Sequence, residues 1–193
     1  MGANRPGRLR IVAGNWRSRV LPVADVDGLR PTSERVRETL FNWLGPRIAG
    51  QRALDLFAGT GALGFEALSR GANEVVFVER SAKAARALRE AAELLKADAA
   101  DIRQQDAFDY LRSTKAPPFD LVFLDPPFAD DSLADLCRLI DEQGTVRRGG
   151  RVYIEQDRHA EEIALPPDWT LDKSKTAGNV RYSLIRTQGE PCQ

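Results

Sequence analysis

The sequence contains almost no cysteine or histidine: two cysteines, Cys137 and Cys192, and one histidine, His159, in 193 residues. These residues have no spacing that suits a metal site, and two distant cysteines do not make the disulfide framework of a small secreted protein. No apolar run approaches the roughly 20 residues that a membrane-spanning helix needs, and no apolar segment follows the basic N-terminus as it does in a signal peptide. We therefore expect a reduced, cytoplasmic protein without a metal ion.

The charges balance over the whole chain but not along it. Lys and Arg number 28, as do Asp and Glu, so the formal net charge is zero. Residues 1–52, however, contain ten Arg, no Lys and four acidic residues, which makes this segment strongly basic and the remainder acidic. A basic segment is typical of a nucleic-acid contact, since guanidinium groups suit phosphates and stack on bases. A solvated surface that binds nothing would explain the same charge distribution equally well.

After residue 52, short apolar segments alternate with segments of helical periodicity, which predicts alternating strands and helices. Strands are expected at 53–57, 74–79, 101–105, 119–124 and 150–155, with helices at 64–69, 82–95, 107–113 and 132–142. The unbroken apolar segment 119–124 indicates a strand buried on both faces. Two last strands, 169–171 and 180–185, flank a turn and must be antiparallel. The fold class is therefore α/β, with a doubly wound, mostly parallel sheet.

A glycine-rich turn follows the first strand of this sheet. Gly59, Gly61 and Gly64 match the Gly-x-Gly-x-x-Gly spacing, which permits a tight turn, the approach of a ligand and close packing of helix on strand. The following helix N-terminus favours an anionic group. Glu79, at the end of the second strand, can accept hydrogen bonds from a ribose, but NAD and S-adenosylmethionine both carry one. Asp106, after the third strand, can accept from an adenine amino group or cap a helix.

The most informative motif is Asp125-Pro126-Pro127-Phe128, directly after the buried strand. The prolines end the strand and fix the backbone. Asp125 and the carbonyl of Pro126 can each accept one N–H of a base amino group, while Phe128 stacks on the base. Holding both amine protons out of the ring plane localises the nitrogen lone pair toward a methyl donor. A purely structural Pro-Pro turn would not require the acid at Asp125 or the aromatic ring at Phe128.

The glycine turn and the Asp-Pro-Pro-Phe segment resemble the cofactor loop and the amino-methylating signature of class I methyltransferases. Residues 30–44, Arg-Pro-Thr-Ser-Glu-Arg-Val-Arg-Glu-Thr-Leu-Phe-Asn-Trp-Leu, preceded by Arg-Ile-Val-Ala-Gly at 10–14, resemble the bacterial 16S ribosomal RNA guanine-N2 methyltransferases of the RsmD family, which act on guanine 966. The resemblance runs from about residue 8 to 186. It implies a seven-stranded sheet whose last strand pair is partly antiparallel, S-adenosylmethionine as cofactor, and 16S ribosomal RNA or the small ribosomal subunit as partner.

The motifs and this resemblance predict three sets of site residues. The catalytic set is Asp125, Pro126, Pro127 and Phe128. The cofactor set is Asp55, Phe57, Ala58, Gly59, Gly61, Glu79, Arg80, Asp106, Ala107 and Thr32. The RNA-binding set is Arg10, Arg17, Arg19, Arg30, Arg35 and Arg37.

The segment before the sheet is interpreted as a small β/α extension. Residues 8–20 favour one or two short strands, and Thr32 or Ser33 can cap a helix that has Glu34 in its first turn. We divide the chain into a basic extension, 1–31, that contacts RNA, and a methyltransferase domain, 32–193. A monomer is expected.

Three alternatives stay open from the residues alone. The amino group could belong to adenine or cytosine, because the clamp itself does not identify the base. An NAD-dependent oxidoreductase shares the glycine turn and Glu79, but the Tyr-x-x-x-Lys pair is absent and His159 lies in a polar stretch. An RNA-binding assembly factor that has lost catalysis would not need the intact Asp125 motif.

Overall fold

The computed structural model describes residues 7–23, 32–127 and 132–187 of the chain. Arg30 and Phe128, two of the predicted site residues, lie outside these ranges, as does Cys192. Within them, no helix is long and apolar enough to cross a membrane.

Two sheets are built from the described residues. The short strands β1 (Arg8–Arg10) and β2 (Val20–Pro22) pair antiparallel as a small separate sheet. The central sheet contains β3 (Arg52–Asp55), β4 (Glu74–Val78), β5 (Ala100–Arg103), β6 (Phe119–Leu124), β7 (Val146–Asp157), β8 (Thr170–Ala177) and β9 (Val180–Arg186). Its order is β5-β4-β3-β6-β7-β9-β8, parallel from β5 to β7 and antiparallel from β7 to β8. The predicted fold class is confirmed.

Within the described ranges, five α-helices cover the two faces of the central sheet. They are α1 (Glu34–Leu44), α2 (Ala62–Ser69), α3 (Ala82–Leu95), α4 (Ala107–Ser113) and α5 (Leu133–Glu142). Helices α1 to α3 pack on one face and α4 and α5 on the other. Leu121 and Phe123 of β6 enter the first core, whereas Val122 and Leu124 enter the second. This strand is buried on both faces, as its unbroken apolar segment predicts.

The strand order reverses between β3 and β6, which are neighbours in the sheet. In open parallel sheets, a crevice forms beyond the carboxyl ends of the strands at such a reversal. Residues that directly follow β3 and β6 therefore face each other across this crevice, and these are the two segments that carry the glycine turn and the Asp-Pro-Pro motif.

The last three strands are longer than the sequence pattern predicts. Strand β7 extends to Asp157 because β9 pairs with it over its whole second half, from Arg151 opposite Arg186 to Asp157 opposite Val180. Strand β8 is an edge strand whose exposed side chains include Lys173, so apolar alternation does not reveal it. Charged edge strands are a common protection against edge-to-edge aggregation.

The N-terminal segment packs on the main core. Leu9, Ile11 and Leu21 are almost fully buried among residues of α1 to α3. Gly14 lies so close to the end of α2 that a Cβ atom would come within 1.8 Å of the Ser69 carbonyl oxygen. Its φ of +82° also belongs to the left-handed region that favours glycine. The segment is thus held against α2 by backbone contact as well as by apolar burial.

Arg37 connects this segment to α1 and α2. The residue is 1% exposed, and its side chain forms an ion pair with Glu66, with Nη1 at 3.1 Å from Oε2. Its Nε and Nη2 donate to the carbonyl oxygens of Thr32, at 3.2 Å, and Arg10, at 2.7 Å. The prediction that Arg37 contacts RNA is wrong, because all three of these guanidinium nitrogens are engaged inside the protein and no face is open to a phosphate.

We expect Arg37→Ala to lower the free energy of unfolding by about 3 kcal/mol, because removing one partner leaves a buried charge without compensation. The loss is at the lower end of the usual range because Arg70 still pairs with Glu66, at 2.8 Å. Urea unfolding followed by circular dichroism measures it. Arg35→Ala, two residues away and exposed, is the matched control and should change stability by less than about 0.5 kcal/mol. Equal stability of the two variants would contradict the buried pair.

Candidate active site

The glycine turn takes the shape that its spacing predicts. Gly59 and Gly61 both have positive φ, 51° and 76°. A Cβ on Gly61 would lie 2.5 Å from the ring of Phe65, and one on Gly64 would lie 2.2 Å from the ring of Phe77. Gly64 therefore permits the close packing of α2 on β4. Gly61 shapes the turn but does not line the cavity that lies at the carboxyl ends of the strands, so its contact with the cofactor stays a prediction.

Glu79 fixes the glycine turn from the neighbouring strand. One carboxylate oxygen accepts the N–H of Gly59 at 2.9 Å, and the other accepts the N–H of Ser81 at 2.7 Å. Each oxygen retains a second lone pair for a ligand hydroxyl. Glu79 lies at the carboxyl end of β4, beside the turn, so it can hold a ribose there as predicted and also support the loop that the ribose would contact.

Asp106 caps α4 and faces the same cavity. Its Oδ1 accepts the N–H groups of Phe108 and Asp109, at 2.8 and 3.3 Å. The cap that the sequence leaves as an alternative is therefore present. It does not compete with an adenine contact, because the side chain is exposed and lines the cavity beside Ala107.

Asp55 closes the floor of the cavity. Its side chain is buried, and Oδ2 accepts the N–H of Gly64 at 3.0 Å. Burial raises the pKa of this carboxyl to about 7, and the nearby charges of Glu79 and Glu155 act in the same direction, while the bond from Gly64 opposes them. Asp55 is therefore placed to stabilise the turn and to meet a positively charged group of a ligand.

Asp125 follows β6 directly and is partly open to the cavity. The Thr32 hydroxyl donates to its Oδ2 at 3.5 Å, a long hydrogen bond. Desolvation, followed by the charges of Glu155 and Asp55, holds the pKa of Asp125 well above its ordinary value. Pro126 is buried and Pro127 exposed. Thr32, expected at the cofactor, thus lies against the predicted catalytic acid instead.

Glu155 is a site residue that the sequence analysis missed. It is 4% exposed, lines the cavity and accepts a hydrogen bond from the Tyr153 hydroxyl at 2.9 Å. Burial raises its pKa, while hydrogen bonds from Tyr153 and Thr32 lower it. The signal was available, since an acid at the end of a predicted parallel strand belongs to the same sheet edge as Asp125.

The five carboxylates described above line one open cavity of about 1200 Å³. It brings together most of the predicted catalytic and cofactor residues: Thr32, Asp55, Phe57, Ala58, Gly59, Glu79, Arg80, Asp106, Ala107, Asp125, Pro126 and Pro127. Sites for one drug-sized ligand measure roughly 300–1000 Å³, so there is room for a nucleoside cofactor and part of a second substrate. The arginines predicted to bind RNA and described by the structure lie outside the cavity wall.

The cavity offers a partner to four groups of S-adenosylmethionine: the ribose, the adenine, the carboxylate and the ammonium. Glu79 offers acceptors to two ribose hydroxyls, and Asp106 offers one to an adenine amino group. The turn at Ala58 and Gly59 leads into the N-terminus of α2, which favours a carboxylate. Asp55 lies on the floor beside that turn, where the ammonium of an amino-acid group would be neutralised.

The sheet order, the glycine turn and the Asp-Pro-Pro segment define a class I methyltransferase. A solved structure described as the putative methyltransferase yhhF of Escherichia coli superposes with a TM-score of 0.85 at 39% identity, covering 95% of this chain and 100% of that one. The profile of the family Conserved hypothetical protein 95 matches residues 9–186. The chain belongs to this family.

Curated relatives agree with this assignment. The ribosomal RNA small subunit methyltransferase D of Haemophilus influenzae is 43% identical over 186 residues, which cover 95% of this chain and 96% of the relative. The protein of the same name from Escherichia coli K12 is 40% identical over 184 residues, which cover 95% and 92%. The resemblance to the RsmD family that residues 10–44 carry is confirmed.

We expect Glu79→Ala to weaken binding of S-adenosylhomocysteine by about 2–3 kcal/mol, because it removes a charged acceptor for two hydroxyls and loosens the glycine turn. Isothermal titration calorimetry measures the dissociation constant. Glu90→Ala, on the exposed face of α3, should bind as the wild type does. A dissociation constant for Glu79→Ala within twofold of the wild type would place the ribose elsewhere.

Proposed function

We propose that this protein transfers a methyl group from S-adenosylmethionine to the exocyclic N2 amino group of a guanine in 16S ribosomal RNA, with guanine 966 as the expected target. The observation that carries the proposal is the position of Asp125 and Pro126 at the switch point, in the same cavity as the glycine turn and Glu79. The names of the relatives support ribosomal RNA as the substrate.

The cofactor supplies an electrophilic methyl group on a sulfonium. The chain's own residues bind and orient the reactants: Glu79 and Asp106 hold the nucleoside, and Asp55 and the start of α2 hold the amino-acid end. This arrangement leaves the space between the glycine turn and Asp125 for the methyl group. Positioning two reactants in line can supply a large part of a rate acceleration.

Asp125 and the Pro126 carbonyl act on the amino group. Each accepts one N–H, which turns the nitrogen lone pair toward the methyl carbon. The bound cofactor would supply the methyl group and leave as a neutral thioether, so the nitrogen would become cationic and would have to lose one proton. Asp125 accepts that proton. No strong base is needed for this step, because the amine gives up its proton only after it has become cationic.

A base inside a stacked helix cannot enter this cavity, so the target guanine must be unpaired or flipped out of its stack. The exposed Arg10, Arg17, Arg19 and Arg35 are proposed to hold the surrounding RNA backbone. The protein is also proposed to act in the cytoplasm, where ribosomal RNA is found, and as a monomer.

Asp125→Ala is expected to lower kcat by about 100-fold or more, because it removes an acceptor whose hydrogen bond strengthens in the transition state. Binding of S-adenosylhomocysteine should stay within about threefold of wild type, since Asp125 lies beyond the cofactor's nucleoside end. Transfer of labelled methyl to ribosomal RNA from cells lacking the protein measures the rate, and mapping identifies the base. Asp109→Ala, at an exposed position of α4, is the control and should keep the wild-type kcat. Folded Asp125→Ala with wild-type turnover would refute the clamp.

Replacing both Arg17 and Arg19 with Ala is expected to raise KM for RNA and to flatten the salt dependence of RNA binding by about one unit of slope per lost phosphate contact. Both are exposed, and the contact of Arg19 with the Leu94 carbonyl, at 3.3 Å, is a weak surface bond. The melting temperature and cofactor affinity should stay unchanged.

Arg103 and Arg138, which lie in exposed ion pairs on β5 and α5, provide the control for this test when replaced together by Ala. Their loss should leave the salt slope as in the wild type. If the Arg17 and Arg19 variant instead melts several degrees lower with an unchanged slope, these arginines only dock the N-terminal segment.

A further inference from the structure

Asp125 and Glu155 occupy neighbouring positions toward the carboxyl ends of the adjacent strands β6 and β7. Leu124 of β6 is in register with Ile154 of β7, so the next residue on each strand is again a neighbour. Adjacent strands lie about 4.8 Å apart. The two carboxylates therefore reach adjacent groups on the edge of a single planar base.

Glu155 lies on the base side of the cavity. In the sheet order, β4 with Glu79 lies two strands from β6 on one side, whereas β7 with Glu155 adjoins β6 on the other. A nucleoside held by Glu79 and Asp106 therefore cannot extend to Glu155 without passing Asp125. The group that meets Glu155 belongs to the methyl acceptor.

The orientation of Glu155 is fixed from within the protein. The Tyr153 hydroxyl donates to Oε1 at 2.9 Å, and Thr32 interacts with both Glu155 and Asp125. Glu155 is 4% exposed and lines the cavity, so the acceptor capacity that Tyr153 and Thr32 leave unused is available to a ligand there. Such a preorganised acceptor selects partners that carry a donor at that point.

We propose that Glu155 selects guanine by accepting its N1–H while Asp125 and the Pro126 carbonyl accept the two protons of its N2 amino group. The inference rests on the proposed guanine-N2 function and names the residue that gives that function its base specificity. Guanine is the base whose exocyclic amine adjoins a ring N–H. The amines of adenine and cytosine adjoin a ring nitrogen with a lone pair, which a carboxylate repels.

The electrostatics of the site favour the same base. Two partly desolvated carboxylates side by side repel each other, and three N–H donors along one base edge offset that repulsion. Adenine and cytosine offer two donors and a lone pair. A buried acceptor left facing a lone pair loses its hydrogen bond and its hydration together, which is how sites built around a polar contact reject close analogues.

The test uses a 16S ribosomal RNA fragment with guanine or 2-aminopurine at the methylated position. 2-Aminopurine keeps the N2 amine but has a lone pair at N1. We expect the wild type to prefer guanine by about 100-fold or more in kcat/KM. In Glu155→Gln, the amide oxygen keeps the Tyr153 hydroxyl and the amide NH₂ faces the base. The preference should then fall below about tenfold, with gain on 2-aminopurine and loss on guanine.

Glu161→Gln, on the exposed loop after β7, is the matched control and should keep the wild-type preference. S-adenosylhomocysteine binding and the melting temperature of Glu155→Gln should match the wild type, which a merely structural role would not predict. If Glu155→Gln does not fold, Tyr153→Phe decides the question: a reduced guanine preference supports the proposal and an intact one overturns it.

The outcomes separate this inference from the function on which it rests. A folded Glu155→Gln that keeps the wild-type preference overturns the role of Glu155 alone, because the wild type still methylates guanine. A wild type that methylates adenine or cytosine and not guanine overturns the proposed function and this inference together.

Discussion

The buried carboxylate of Glu66 is the contact through which the N-terminal half of the protein is assembled. It is completely inaccessible to solvent, so it must be neutralised by charges and donors from several elements. Arg37 of α1, Arg70 after α2 and two backbone N–H groups of the N-terminal segment all bind it. Arg37 also donates to the Thr32 carbonyl, and the Thr32 hydroxyl contacts Asp125. A buried ion pair in the core thereby positions a residue of the candidate active site.

A second constraint operates at the carboxyl ends of the central strands, where Asp55, Asp125 and Glu155 line one cavity. Burial raises the pKa of all three carboxyls. Ionising three neighbouring carboxyls therefore costs free energy unless a bound ligand supplies donors or positive charge. Each acid has a donor or a cation to meet in the proposed complex. The strand order separates their proposed roles: the acid after β3 faces the cofactor, the acid of β7 faces the base, and the acid after β6 lies between them and accepts the proton.

Local patterns predicted what depends on local physics. The apolar segment of β6 and the close packing at Gly64 follow from neighbouring residues, and both are as predicted. Arg37 was misassigned because its partner, Glu66, lies 29 positions away on another helix, and no local pattern reveals a buried ion pair. Glu155 was missed for a related reason: it ends the predicted strand 150–155, but its importance depends on β7 lying next to β6, and the order of strands in a sheet is not a local property.

The buried arginine also changes how the basic N-terminal segment should be understood. The sequence analysis assigns six of the ten arginines of residues 1–52 to RNA binding, but Arg37 is buried and cannot contribute to binding through its own charge. It contributes by position, since it holds the backbone of Arg10 beside that of Thr32 at the edge of the cavity. The exposed Arg10 side chain is then presented from an ordered backbone. A cation on an ordered backbone loses less conformational entropy when it binds RNA. The buried contacts of Arg37 therefore favour the proposed RNA contact of Arg10 at the surface.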